Sequence, residues 1–262
     1  MNDGEIILEM RALTKRFGGL LAVDAVDAAV PANHITAIIG PNGAGKTTIF
    51  NMLSGVLRPT AGAVEFRGRR IDGAAAHVIA ALGIARTFQN VLLFEGMSVL
   101  ENVMVGRHTR IRGGMLHAAL GLPGTTRQER ACAAACMEAL RFVGLEARAA
   151  DDASSLPFGQ QRLVEVARAM VAEPRLLLLD EPAAGLNTRE RAGLATIITA
   201  LPQRGVTPLL VDHDMDLVMD ISHLVLVLDH GQKIAQGPPR QVQSDPQVIA
   251  AYLGEEANAC SG

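Results

Sequence analysis

Residues 40–47 read GPNGAGKT and fit the pattern G-x-x-x-x-G-K-[ST] at every specified position. Glycines so spaced let backbone N–H groups turn inward around phosphate oxygens. A helix starting at Lys46 adds about half a positive charge at its N-terminus. Lys46 can then bridge β- and γ-phosphates, and the Thr47 hydroxyl can ligate Mg2+. The expected phosphate-binding run is Gly40, Pro41, Asn42, Gly43, Ala44, Gly45, Lys46, Thr47 and Thr48. A chance glycine turn is the competing reading. The buried strand expected before the run and the helix expected after it argue against chance.

A second chemical segment is LLLLDEP, 176–182. Four apolar residues put Asp180 at the carboxyl end of a buried strand, where α/β sheets gather ligands. Asp180 is expected to hold Mg2+ through water. Glu181 can orient and deprotonate an attacking water, a role worth roughly 10²–10⁴ in rate. The plainer alternative makes Asp180-Glu181 a helix N-cap before Pro182. His213, in VDHDMD, follows another strand and is either a cap or surface residue or a donor to the γ-phosphate. Gln89, in ARTFQN, sits at a further strand end, as a solvated glutamine or as part of the site. Phe17, beside the turn in RFGG, is either core or a platform for a base. With aromatics only 3% of the chain and no Trp, such platforms are scarce.

The stretch SSLPFGQQRLVEVARAM, 154–170, presents a loop with a glycine running into a helix. From Gln160 the apolar positions Leu163, Val164, Val166, Ala167 and Met170 recur at helical spacing. Pro157 and Phe158 stand where a small polar cap is usual. Gly159 beside bare N–H groups would suit an anion brought close.

These residues need elements to hold them. Strands are expected at 5–13 and 20–30 around FGG, at 34–40, 175–180, 207–212 and 223–229, and RPTAGAVEFRGRRI has hairpin character. Helices are expected at 46–54, about 188–201, and 214–221. Apolar strand runs alternating with helices argue for a parallel sheet covered on both faces. A mostly helical, alanine-rich lobe enters between about 90 and 172, interrupted at the Gly/Pro-marked RGGMLHAALGLPGTT.

The 262 residues, 49% of them hydrophobic, suffice for one large domain or one domain carrying a smaller lobe. A net charge of −3 without a long basic run gives no phosphate-neutralising surface for nucleic acid. Cys132 and Cys136 share a helical face and read as small buried fillers, because no nearby ligand completes a metal set. Three cysteines make no disulfide framework, which fits a reducing compartment. The acidic start MNDGEIILEM is not expected to be a signal peptide. No apolar run approaches the ~18 residues of a membrane span, so any membrane role is expected to come through a partner.

The phosphate loop, TFQN, LPFGQQR, LLLLDEP, AGLN and VDHD, in this order and spacing, resemble the ATP-binding cassette (ABC) ATPases along nearly the whole chain. GIARTFQNVLLFEGMSVLENVMVGRH, DEPAAGLN and the closing IAQGPPRQVQSDPQVIAAYLGEE are similar to branched-chain amino acid importers, and the 108–127 loop to the longer of their two ATPase types. The resemblance implies a P-loop nucleoside triphosphatase α/β fold: a mixed sheet core, an antiparallel β subdomain and an inserted helical subdomain. Its bounds would be 1–90 and 173–240 for the core, 91–172 for the helical part, and 241–262 for a C-terminal helix and tail. It implies ATP as substrate with Mg2+, and Glu181, His213, Gln89 and Lys46 as catalytic. Thr47, Gln89 and Asp180 would hold the metal, and Phe17 would take the adenine.

Two such ATPase subunits, alike or related, would pack head to tail. Pro157, Phe158, Gly159, Gln160 and Asn187 would then reach the partner's nucleotide. Permease subunits would dock near Gln89 and the segment NVLLFEGMSVLENV, with a periplasmic or extracellular binding protein joining through the complex. The location implied is the cytoplasmic face of the inner membrane. Two departures stand out. The general pattern Leu-Ser-Gly-Gly-Gln is here Leu156-Pro157-Phe158-Gly159-Gln160, so the serine hydroxyl is missing. The loop after the glutamate ends Leu186-Asn187 and not Leu-Asp. Other cargo (urea, short amides, or exported lipid) is the near alternative. A soluble ABC ATPase on nucleic acid or ribosomes would bring basic patches or coiled-coil insertions, and a small-molecule kinase would bring an acceptor site and lid arginines.

Overall fold

Two sheets carry the fold in the computed structural model, which describes residues 5–87, 92–107 and 123–259. Strands β1 (Ile6–Phe17) and β2 (Leu20–Pro31) form a hairpin in which Phe17 faces Leu20 across Gly18-Gly19. With β4 (Ala61–Phe66) and β5 (Arg69–Arg70) they make an antiparallel sheet ordered β2-β1-β4-β5.

The second sheet uses β3 (Thr36–Ile39), β6 (Ile84–Arg86), β7 (Leu176–Asp180), β8 (Thr207–Val211), β9 (Leu224–Asp229) and β10 (Gln232–Gly237). Its order is β10-β9-β3-β8-β7-β6, parallel except for β10, which runs antiparallel to β9. Successive residues alternate between two cores. In β7, Leu177 and Leu179 enter one, and Leu176 and Leu178 enter the other. Both faces are covered, which is why the run is continuously apolar.

One core joins the sheet to α1 (Lys46–Leu53), α2 (Ala76–Leu82) and the antiparallel sheet, through Phe50, Leu53 and Ile79 against Leu8 and Met10. The other takes α3 (Val99–Val105), α4 (Pro123–Phe142) and α5 (Phe158–Met170), which pack on one another. It also takes α6 (Thr188–Ala200), α7 (Met215–Ile221), α8 (Pro239–Gln243) and α9 (Pro246–Ala259). Cys132 and Cys136 are buried there, and burial pushes the Cys136 thiol up to about 12.

The differences from the expected elements are local. Helix α5 starts at Phe158, two residues before Gln160, with Pro157 as its N-cap. Asp180-Glu181 caps no helix, because the next helix starts at Thr188 behind Asn187. Strand β10 had no sequence signal: QKIAQG carries only Ile234 and Ala235 to the core and lies at the sheet edge. Gln89 and residues 108–122 of the 108–127 loop lie outside the described residues.

Candidate functional site

The glycine-rich run joins β3 to α1 at the carboxyl end of the parallel strands. Gly40, Gly43 and Gly45 have φ of 148°, 78° and 100°, values that L side chains rarely adopt. At two of them packing adds a further demand. A Cβ on Gly40 would lie 2.0 Å from the Leu228 carbonyl oxygen, and one on Gly45 2.6 Å from that of Ala22. Helix α1 has no side-chain cap and no acidic residue in its first turn, so its first amides remain available to an anion. Lys46 is buried, and its Nζ donates to the Gly40 and Pro41 carbonyls at 2.7 and 2.8 Å. Thr47 is exposed beside it. Positive-φ glycines, an uncapped helix and a lysine curled into the loop fit a polyphosphate. Phe17 is exposed at the hairpin tip, with Lys15 Nζ 5.0 Å from its ring centroid.

Asp180 ends β7 and is buried. Its Oδ2 accepts from Arg86 Nη2 at 2.6 Å, and Arg86 Nη1 also donates to Asn51 Oδ1 on α1 (2.7 Å) and to Ser54 Oγ at the C-cap of α1 (2.9 Å). Glu181 follows at φ 47°, anchored by its N–H to the Val211 carbonyl at 2.7 Å. Its Oε1 meets His213 Nε2 at 3.1 Å. The two residues come from the ends of β7 and β8, and 32 positions of chain separate them. Asp212 holds this junction together. Buried, it accepts the Ala183 N–H and the Asp214 N–H, each at 2.9 Å. Burial is the main cause that raises its carboxyl above the usual range. The buried Asp180 carboxylate and the exposed Thr47 hydroxyl in the first turn of α1 are hard oxygen donors of the kind that suits Mg2+.

The loop at 154–160 lies elsewhere on the chain. Pro157, Gly159, Gln160 and Asn187 line one cavity of about 720 Å³ between α5 and α6. The Gln160 side-chain oxygen is buried without a hydrogen-bond partner among the described residues. Phe158 is exposed; its ring is what a Cβ on Gly185 would meet, at 2.9 Å, and Arg162 lies 5.6 Å from its centroid. Gly159 has its side-chain direction filled by its own chain: a Cβ there would lie 2.4 Å from Glu190 Oε1. That carboxylate is held in a capping box, where Asn187 Oδ1 accepts the Glu190 N–H and Glu190 accepts the Asn187 N–H, both at 3.0 Å. Asn187 therefore spends its oxygen on its own helix.

A model of the ABC transporter family matches residues 23–184. The chain belongs to the ABC transporter family. A second model, of branched-chain amino acid ATP-binding cassette transporters, matches residues 232–258 of this ABC chain. The ABC chain is 45% identical over 250 residues to the high-affinity branched-chain amino acid transport ATP-binding protein BraF of Pseudomonas aeruginosa, across 95% of this chain and 98% of the relative. It is 42% identical, with the same coverage, to LivG of Escherichia coli K12, which bears the same description. Among solved structures it superposes on a nucleotide-free ATP-binding cassette from an ABC transporter, with a TM-score of 0.83 and 30% identity, covering 95% and 99% of the two chains.

The ABC motifs were legible in sequence; Arg86, Asn51, Ser54, Asp212 and Glu190 were not. A charged residue closing the otherwise apolar GIAR was the one available signal for Arg86.

Proposed function

We propose that the chain is the ATP-hydrolysing subunit of an importer for branched-chain or related hydrophobic amino acids. The observation that carries this is the meeting of Glu181 and His213 next to Asp180 at the carboxyl ends of the strands, the same end of the sheet that bears the glycine-rich loop. The names of the 45% and 42% identical relatives support the cargo class.

The loop amides from Gly40 to Thr48 and the Lys46 ammonium hold the phosphates. Phe17 takes the adenine. Thr47 and Asp180, with Gln89, hold Mg2+, which when bound neutralises charge on the transferring phosphoryl group. Glu181 takes a proton from the attacking water. His213 orients Glu181 through their 3.1 Å contact and, on this reading, donates to the γ-phosphate. The α5 entrance, with Pro157, Phe158, Gly159 and Gln160, offers its first amides to the nucleotide of a second ATPase subunit, and Asn187 borders that surface. With the serine hydroxyl absent, backbone N–H groups carry this contact. We retain 1–90 with 173–240 as the core, 91–172 as the helical part and 241–262 as the tail. Among the described residues no helix is long and apolar enough to cross a membrane, so attachment to the inner membrane's cytoplasmic face falls to permease subunits, which in turn receive cargo from a binding protein.

Copurifying the whole complex, reconstituting it and assaying uptake over an amino-acid panel tests the reading. ATP-dependent uptake of leucine, isoleucine or valine is expected. Uptake confined to urea or amides replaces the cargo, and phosphate passed to a metabolite instead of water overturns the class.

A further inference from the structure

Arg86 is a buried cation inside the site that the nucleotide reading leaves without a task. It closes β6, three residues before Gln89, and its side chain and that of Asp180 are only 9% and 4% exposed. Its guanidinium spans two elements. One nitrogen holds the Asp180 carboxylate at the end of β7, and the other holds Asn51 on α1 and Ser54 at its C-cap. The Phe50 ring lies beneath it, 5.8 Å from ring centroid to Cζ. Helix α1 is the helix whose first turn carries Thr47. The same rigid fork thus ties together the two elements bearing the hydroxyl and the carboxylate expected to hold Mg2+.

We propose that Arg86 is a positioning residue for the metal site, setting Asp180 against Thr47 before nucleotide and Mg2+ arrive. The inference rests on the reading of Asp180 as a Mg2+-holding residue. An ionised carboxylate has about four lone-pair sites, so the Arg86 bond leaves acceptor capacity for a metal-bound water. A guanidinium suits the task because it keeps its charge at any working pH and its donors in one plane. A lysine presents a single point charge and cannot reach both Asp180 and α1 with fixed geometry. Partners of this kind around metal-binding groups change metal affinity by about 10–100-fold when removed.

The test uses the full chain and a fluorescent ADP, so that no turnover is read. Affinity is measured in EDTA, and the Mg2+ concentration giving half the metal-dependent increment is then titrated. Arg86→Met is expected to leave the EDTA affinity within about twofold of the parent and to raise the Mg2+ midpoint by about tenfold. Arg86→Lys should recover only part of this. If Arg86→Met does not fold by circular dichroism, the Asn51→Ala/Ser54→Ala pair removes the α1 half of the fork and spares the ion pair; a Mg2+ midpoint raised about threefold is expected. Asp180→Asn should raise the midpoint, and adding Arg86→Met to it should raise it no further, because the two act through one contact. An unchanged or lowered midpoint in Arg86→Met, the latter meaning that Arg86 competes with the metal, overturns the inference. An equal loss in EDTA and in Mg2+ also overturns it and reduces Arg86 to a packing residue. If Asp180→Asn itself leaves the midpoint unchanged, the metal reading of Asp180 fails and the inference falls with it.

Discussion

Glu181 adopts φ 47° although it has a side chain, a conformation that costs of order 1 kcal/mol or more and concentrates at functional sites. The backbone bond to Val211 and the Asp212 carboxylate that gathers the Ala183 and Asp214 amides hold the strand end in this shape. The result is a carboxylate aimed at His213 from the end of β7. Glu181→Gln keeps the shape and the hydrogen bond to His213 but cannot accept a proton from water. Turnover should therefore fall by at least ~10²-fold, with nucleotide affinity unchanged, as read by phosphate release and by fluorescent-nucleotide titration. Turnover within a few-fold of the parent would make Glu181 structural only. Lys46→Ala should instead abolish binding, because the buried phosphate cluster loses the flexible cation supplied by this loop; near-normal Mg-ATP affinity would count against the phosphate-loop assignment.

At the scale of elements, the entrance to α5 is the informative piece. Pro157 supplies no side-chain cap; its carbonyl takes the Gln160 and Gln161 amides at 2.9 and 3.0 Å, which leaves the Phe158 and Gly159 amides for whatever anion the assembly brings. Gly159 is a poor probe of that role, since any Cβ presses on Glu190. Pro157→Asp is a cleaner one. Aspartate is among the best N-caps, worth about 1 kcal/mol over a poor one, so the chain should melt no lower than the parent. Its carboxylate would also occupy the amides and repel a γ-phosphate with little water to screen it. Nucleotide binding to the isolated chain should persist. ATP-driven pairing, measured by sedimentation in the Glu181→Gln background with the partner ATPase supplied where one is required, should be lost. Normal pairing would show that α5 does not face another chain's nucleotide.

Across the whole molecule, two surfaces lead to predictions. The segment after residue 91 is held by its backbone and by Leu93, which packs on the core, while Leu92 and Phe94 face out. Buried Glu165 accepts the Leu92 N–H at 3.3 Å, and Arg168 donates to the Leu92 carbonyl at 2.7 Å. Asn102 holds the Phe94 N–H at 2.8 Å, yet the Leu92 and Phe94 side chains are 62% and 50% exposed. Apolar side chains on an anchored backbone suit a docking surface. Phe94→Asp should leave the melting temperature and ATP binding of the isolated chain intact and abolish copurification with the permease; retained copurification moves the docking surface elsewhere. At the opposite ends of the strands, His223 Nδ1 accepts the Ile35 N–H at 3.1 Å, and its ring stands edge-on to His34 at 5.2 Å. Burial first, and His34 second, lower its pKa below the usual 6.5. The unfolded chain therefore binds this proton more readily, and the His223 contribution to stability is lost as pH falls from about 6.5 through the lowered value. Melting curves between pH 5 and 7.5 should drop less steeply on the acid side for His223→Gln than for the parent. Parallel curves would remove His223 from the pH response.

GPNGAGKT, LLLLDEP and VDHD could be read directly because phosphate and metal chemistry demands those residue types within a few positions of one another. Strands β3, β7, β8 and β9 were readable for a related reason: burial on both faces writes an unbroken apolar run into the chain. Strand β10 was not, because an edge strand with so short an apolar stretch owes its form to the backbone bonds of β9. The capping box at Asn187 and the filling of Gly159 by Glu190 depend on how α5 and α6 come to lie together. Arg86 shows the limit most clearly. Its partners are 35 and 94 residues away. No local spacing encodes a contact of that kind, because only the assembled sheet brings the end of β6 beside β7 and α1.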